Sequence, residues 1–170
     1  YAIGYISLGS LNDRVKALKV NGAEANAENI KEGSYVLARP FNIATKGEPA
    51  ALAADFINFV LSKEGQEVVS KSYVRVKDDA LSFQSIKPSG KIVIAGSSSV
   101  NPIMEKLVEA YSRLNPQASI EIQSTDSTSG INSVQEGTSH IAMTSRALTE
   151  EEKKTLEETT IALDGIVMVV

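Results

Sequence analysis

KIVIAGSSS, residues 91–99, is the stretch on which the fold turns. Its apolar centre, Ile92-Val-Ile-Ala95, is rich in β-branched residues and too short for a helix, so it reads as a buried strand. Gly96 and three serines end the strand. From about Pro102 to Leu114 the period changes, and Ile103, Leu107, Ala110, Tyr111 and Leu114 share one helical face. Strand, loop and helix make a βα unit, and the pattern returns twice. ASIEIQ (118–123) alternates as a strand and runs into STDSTSG (124–130) and a short helix carrying Ile131 and Val134. HIAMT (140–144) runs into Ser145-Arg146, after which Thr149 and Glu152 have the spacing of a capping box that opens a third helix. Residues 160–163 and 166–170 predict two further apolar strands around an Asp164-Gly165 turn. Continuous apolar strands alternating with amphipathic helices predict an α/β fold with both sheet faces covered, in three layers, αβα, around a mostly parallel central sheet.

Upstream the pattern is different. Tyr1 to Gly9 is aromatic and β-branched and reads as a buried strand, and Val15 to Val20 as a half-buried strand closed by an Asn21-Gly22 turn. Asn26 to Gly33 predicts one or two helical turns ended by glycine. Residues 35–39 and 41–45 flank Pro40, which cannot donate into a ladder, so they predict a strand broken there or placed at an edge. Ala50 to Leu61 is a helix with Leu52, Phe56, Phe59 and Val60 in the core, and Lys63 starts a second, short helix. Tyr73 to Val76 is a short strand, and residues 78–90, with Pro, Gly and three Ser, are a connector without period.

Composition removes several function classes. The chain has 170 residues, enough for one domain with a sizeable core, and a formal charge of 17 − 21 = −4. Without a Lys/Arg block this balance argues against nucleic acid as the main partner. With no Cys and one His there is no disulfide framework, and neither a metal site nor a cofactor is expected. The longest apolar run, Ile166 to Val170, is far below the roughly 20 residues a membrane helix needs. The chain opens on Tyr1 rather than Met and ends inside a strand-like run, so both ends are expected to be cut edges.

The chemistry gathers in three loops. In an open α/β sheet, ligands sit beyond the C-terminal strand ends, and the loops there carry Ser97, Ser98 and Ser99; Ser127, Thr128 and Ser129; Thr144 and Ser145. Hydroxyls and free amides at helix N-termini donate hydrogen bonds to an anion, and a small tetrahedral oxyanion fits them. Arg146 adds the one fixed positive charge in these loops, its planar fork suited to phosphate or carboxylate. The plainer readings are that Ser and Thr are the usual helix caps and that Arg146 pairs with the Glu150–Glu152 cluster. Catalysis is not expected, because His140 begins a strand, at the opposite end of the sheet from the serines, and no nucleophile-elbow or nucleotide-binding motif is present.

The combination of GSSSV (96–100), STDSTSG (124–130) and MTSR (143–146) resembles the beginning of the bacterial phosphate-binding proteins that serve high-affinity phosphate ABC transporters. YAIGYISLGSLNDRVKALKVNG (1–22), RPFNIATKG (39–47) and ADFINFVLSKEGQEVV (54–69) resemble the end of the same family, so the family order is reversed. The resemblance implies one lobe of a type II periplasmic binding protein fold, circularly permuted. In it 1–77 corresponds to the family's C-terminal part, 78–90 to the connector and 91–170 to the N-terminal part, with the second lobe absent. It implies phosphate ligands at Ser98 and Ser99, at Ser127 with Thr128, and at Ser145 and Arg146, where many members carry an Asp. The implied partners are inorganic phosphate or a similar oxyanion and, for the parent protein, the membrane subunits of the transporter, at an extracytoplasmic location. Binding by half a site is expected to be weak. A homodimer through the exposed lobe face is a further expectation, and an engineered or truncated single lobe without significant binding is the alternative.

Overall fold

A computed structural model describes residues 2–170; the start of the first predicted strand, Tyr1, lies outside them. Seven strands and five helices follow in the order β1 (Gly4–Ser7), α1 (Ala27–Glu32), β2 (Ala38–Thr45), α2 (Ala51–Leu61), α3 (Lys63–Ser70), β3 (Val74–Arg75), β4 (Gly90–Ser97), α4 (Asn101–Leu114), β5 (Ala118–Thr125), α5 (Ser127–Gln135), β6 (Ile141–Thr144) and β7 (Glu157–Val169). The sheet order is β1-β7-β2-β6-β4-β5, with β3 also on β7.

The sheet is mostly antiparallel, which corrects the expectation of a mostly parallel one. β4 pairs in parallel with β5 and β6, but β2 with β6, β2 with β7, β1 with β7 and β3 with β7 are all antiparallel. The reason lies in how the two halves of the chain interleave. β4, β5, β6 and β7 run one way, as successive βα units should. β2 runs the other way and wedges between β6 and β7, while β1 and β3 flank β7.

Layering on both faces is as expected. Alternate residues of one strand face opposite sides: Ile43, Ile141 and Met143 join the larger core with α2, α3 and α4, whereas Ala44 and Ala142 face α5. In the larger core Phe56 and Phe59 pack on Tyr111 with ring centroids 5.3 and 5.6 Å apart. Residues 76–89 have no regular structure but are tied down: Ser85 Oγ donates to the buried Asp55 carboxylate over 2.7 Å, the Tyr111 hydroxyl donates to the same oxygen over 2.7 Å, and Asn115 Nδ2 reaches the Pro88 carbonyl over 2.8 Å. Burial pushes the Tyr111 hydroxyl pKa up to about 12, so it is a donor at every ordinary pH.

Five further elements differ from expectation. The first strand is short and lies at an edge, with Tyr5 76% exposed, and a 3₁₀ turn follows at Leu8–Ser10. Residues 15–20 are not a strand; Lys16 and Leu18 only bond to the end of β7, although the Asn21-Gly22 turn is present. β2 passes unbroken through Pro40, because β6 pairs only with Asn42–Ala44 and leaves the proline a neighbour on one side alone. At the C-terminus a single strand, β7, replaces two strands and a turn. Asp164 is fully buried in it against Arg39, and Gly165 serves close packing, since a Cβ there would stand 2.5 Å from Ile30 Cδ1. The third helix shrinks to one 3₁₀ turn, Glu152–Lys154, although its capping box forms: Thr149 N donates to Glu152 Oε2 and Glu152 N to Thr149 Oγ1.

Candidate functional site

The three hydroxyl loops end adjacent parallel strands, and parallel register brings them to one mouth. Gly96 is opposite Ser124 on one side and Met143 on the other, so Ser97, Thr125 and Thr144 finish their strands side by side. Two glycines close the gap further. A Cβ on Gly130, in the first turns of α5, would lie 2.5 Å from Gly96 Cα and 2.6 Å from the Ala95 carbonyl oxygen. Backbone on backbone therefore seats the N-terminus of α5 against the end of β4.

Hydrogen bonds knit the mouth. Ser97 Oγ donates to Ser145 Oγ over 3.1 Å, and the Ser145 amide donates to Ser127 Oγ over 3.2 Å. Ser98 is exposed, and its amide donates to the Thr125 carbonyl over 3.1 Å, which leaves its hydroxyl as the group it can offer a ligand. The next residue, Ser99, is half-buried in the same turn, and Thr128 is exposed on the first turn of α5. Asp126 caps α5, its carboxylate accepting from the Ser129 amide over 3.0 Å and from the Ser129 hydroxyl over 2.6 Å. Those two bonds, the hydroxyl's first, hold the Asp126 carboxyl below its ordinary range. Ser97, named in the first hydroxyl loop but not among the six implied ligands, belongs with them, since its buried hydroxyl joins two of the three loops. The signal available was its place as the last residue of β4.

Arg146 is differently placed. Its guanidinium grips Glu152 bidentately, at 2.9 Å to each carboxylate oxygen, and also donates to the Ala147 carbonyl over 3.0 Å. The structure thus forms the ion pair weighed against a ligand role, and the fork is not turned to the serines. Its backbone carbonyl accepts from Thr144 Oγ1 over 2.8 Å and from Asn42 Nδ2 over 3.2 Å, which fixes the loop after β6 to β2.

The Arg146 hydrogen bonds hold the Glu152 carboxyl down from 4.5 to about 2, with help from the Thr149 amide and against the opposing effect of burial. A pKa depressed by folding contributes stability that is present above the unfolded value and lost as pH falls through the folded one. The stability difference between the parent chain and Glu152→Gln is therefore expected to persist above pH 4.5 and to shrink as pH falls toward 2. Urea midpoints measured across that window check it, and a pH-independent difference would contradict it.

At the other end of the sheet, His140 Nδ1 accepts the Val93 amide over 3.0 Å, well away from the serines. Among the described residues no group of three His, Asp or Glu could hold a metal ion, and no helix is long and apolar enough to cross a membrane.

The sequence family described as PBP superfamily domain matches residues 82–170, the half that carries all three loops. "Phosphate-binding protein PstS 2" of Streptococcus agalactiae serotype V is 50% identical over 171 residues, which take in 99% of this chain and 58% of that protein. "Phosphate-binding protein PstS" of Bacillus subtilis is 34% identical over 80 residues, 45% of this chain and 27% of that protein. A crystal structure of a phosphate-binding protein of a phosphate ABC transporter from Streptococcus pneumoniae TIGR4 superposes with a TM-score of 0.93 at 47% identity, over 99% of this chain and 66% of that one. The chain thus spans 58% of the length of the streptococcal relative.

Proposed function

This chain belongs to the PBP superfamily, and on that footing we propose that it is one lobe of an extracytoplasmic phosphate receptor that serves an ABC transporter by binding and delivering its ligand, without catalysis. The observation that carries the reading is the bonded series Ser97–Ser145–Ser127 at the ends of three parallel strands, under the positive end of α5. Ser98, Ser99, Ser127, Thr128 and Ser145 supply hydroxyls to the oxyanion. Arg146, tied to Glu152, shapes the third loop, its charge offset there by that carboxylate.

The order of parts fits a circular permutation, with 1–77 and 91–170 joined through 78–90. One alignment runs through both halves of this chain in the Streptococcus agalactiae protein, whereas the Bacillus subtilis protein aligns with less than half of it. An order shared with a natural relative favours a natural permutation over an engineered one. The rest of the parent would supply the facing lobe. The strand β1, with Tyr5 and the neighbouring Ile3 exposed, offers an apolar edge to that lobe or, in its absence, to a second copy.

Half a site lacks the hydrogen bonds of the facing lobe, at about 1.5–3 kcal/mol each when charge-assisted. Since each 1.4 kcal/mol is about a factor of ten, several such losses weaken binding by orders of magnitude, and the expected phosphate affinity is millimolar or undetectable. Phosphate titration of the ¹⁵N-labelled chain is expected to move the amides of Ser98, Ser99, Ser127 and Ser145, and Ser127→Ala to weaken the response. Shifts confined to other regions would overturn the site, and a micromolar dissociation constant by calorimetry would overturn the half-site reading.

A further inference from the structure

A carboxylate stands in the serine mouth. Asp126 lies between two residues that tie its loop to the other two: the Thr125 carbonyl accepts from the Ser98 amide over 3.1 Å, and the Ser127 hydroxyl accepts from the Ser145 amide over 3.2 Å. Asp126 is exposed, and among the described residues no Lys or Arg pairs with it. The Ser129 amide and hydroxyl fill one acceptor position on each of its oxygens, at 3.0 and 2.6 Å. A carboxylate offers about four such positions, so others stay open. As a helix cap alone a neutral Asn would serve equally well. What the aspartate adds is a full negative charge, set where an oxyanion has to come.

The fixed charges of the mouth nearly cancel. The N-termini of α4 and α5 bring about half a positive charge each, Asp126 brings a full negative one, and Arg146 is answered by Glu152. Residues 97–100 have no ionisable side chain, and the first turn of α4 has no acidic one. Farther down β5, Glu121 is paired with Lys91. The ligand is therefore held by hydrogen bonds, from the hydroxyls and from the start of α4, which has no side-chain cap. A second charge on it meets nothing that answers it. Resting on the reading of this mouth as a phosphate site, we propose that Asp126 determines its specificity, selecting the oxyanion that carries a proton and a single charge, dihydrogen phosphate, over dianions. An open position of the carboxylate accepts the P–OH hydrogen of the monoanion, a charge-assisted bond. A dianion sets a second charge against the same carboxylate, and sulfate has no hydrogen to give.

The test is titration of the ¹⁵N-labelled chain and of Asp126→Asn with inorganic phosphate and with sulfate, at about pH 6 and about pH 8, either side of the second ionisation of phosphate. Chloride holds the ionic strength. Asparagine caps a helix as well as aspartate does, so the variant keeps α5 while losing the charge and one acceptor oxygen. His140, the single histidine and the side-chain type that titrates in this range, is at the other end of the sheet, so at the mouth it is the ligand that changes charge. In the parent chain phosphate is expected to bind several-fold more tightly at the lower pH, read at Ser98, Ser99, Ser127 and Ser145, and sulfate to bind more weakly than phosphate at both. Asp126→Asn is expected to level or reverse the pH preference and to strengthen sulfate several-fold. A cap with no part in selection would leave the pH profile and the anion preference of the variant as in the parent. That result, or a parent chain indifferent to pH, would overturn the proposal while the phosphate site stands. Serine amides silent toward both anions in both chains would overturn it too, together with the site it rests on.

Discussion

Arg39→Met is expected to lower the unfolding free energy by about 3–5 kcal/mol, the range for removing one partner of a buried ion pair. Asp164 is fully enclosed in the longest strand, and its charge is answered by Arg39, through Nη2 at 3.0 Å and Nε at 3.1 Å, and by the Ser7 hydroxyl. The pair is asymmetric: the Arg39 side chain is 31% exposed and Asp164 is 0% exposed. Removing the arginine strands a carboxylate that cannot reach water. Asp164→Asn instead leaves a guanidinium that can turn outward, so it should cost clearly less. The double variant Arg39→Met, Asp164→Leu should recover part of the loss, since no buried charge remains. Urea unfolding of the three variants decides the matter, and an Arg39→Met chain within about 1 kcal/mol of the parent would sink the idea.

The same residues explain what can be read from the sequence. β4, α4, β5 and α5 are legible because their signals are local: an apolar run, a change of period, a hydroxyl-rich break. The Asp164-Gly165 pair reads as a turn because the group that lets the aspartate stay in a strand, Arg39, is 125 positions away in sequence. Pro40 misleads for a related reason. A missing donor matters only where a neighbouring strand needs it, and pairing to β6 begins two residues later. Sheet direction fails at the level above. The βα rhythm correctly gives four strands of one sense, but nothing local says that β2, from the other half of the chain, inserts between β6 and β7.

For the site, strand ends and helix starts tell which loops meet, because parallel register fixes that once the units are recognised. Hydrogen-bond allegiance is not legible. Whether Arg146 faces a ligand or Glu152 depends on a capping turn whose position follows from tertiary packing, and the tie of Ser97 to Ser145 crosses 48 residues.

Gly96→Ala should be the most damaging change of a single carbon. Its φ of +137° is one that side chains rarely adopt, and the new Cβ would stand 2.2 Å from the Met143 carbonyl oxygen, a backbone atom that cannot rotate away. Backbone strain of about 1–3 kcal/mol and overpacking of about 1–3 kcal/mol act together, for an expected loss of about 2–6 kcal/mol. The damage is also directional. Gly96 and Met143 are register partners at the ends of β4 and β6, so relief of the clash parts the two strands where Ser97 meets Ser145. Phosphate-induced shifts at Ser145 should then fall with stability. Gly130→Ala separates the two effects, because its Cβ presses on Gly96 Cα at 2.5 Å without a positive φ, and α5 can yield by moving outward. That variant is expected to remain folded, with a smaller stability loss, but to lose the response of Ser127, whose helix has left the mouth. Unfolding curves and phosphate titrations on both variants test the account. A Gly130→Ala chain with an undiminished Ser127 response would show that the close seating of α5 on β4 is not what builds the site.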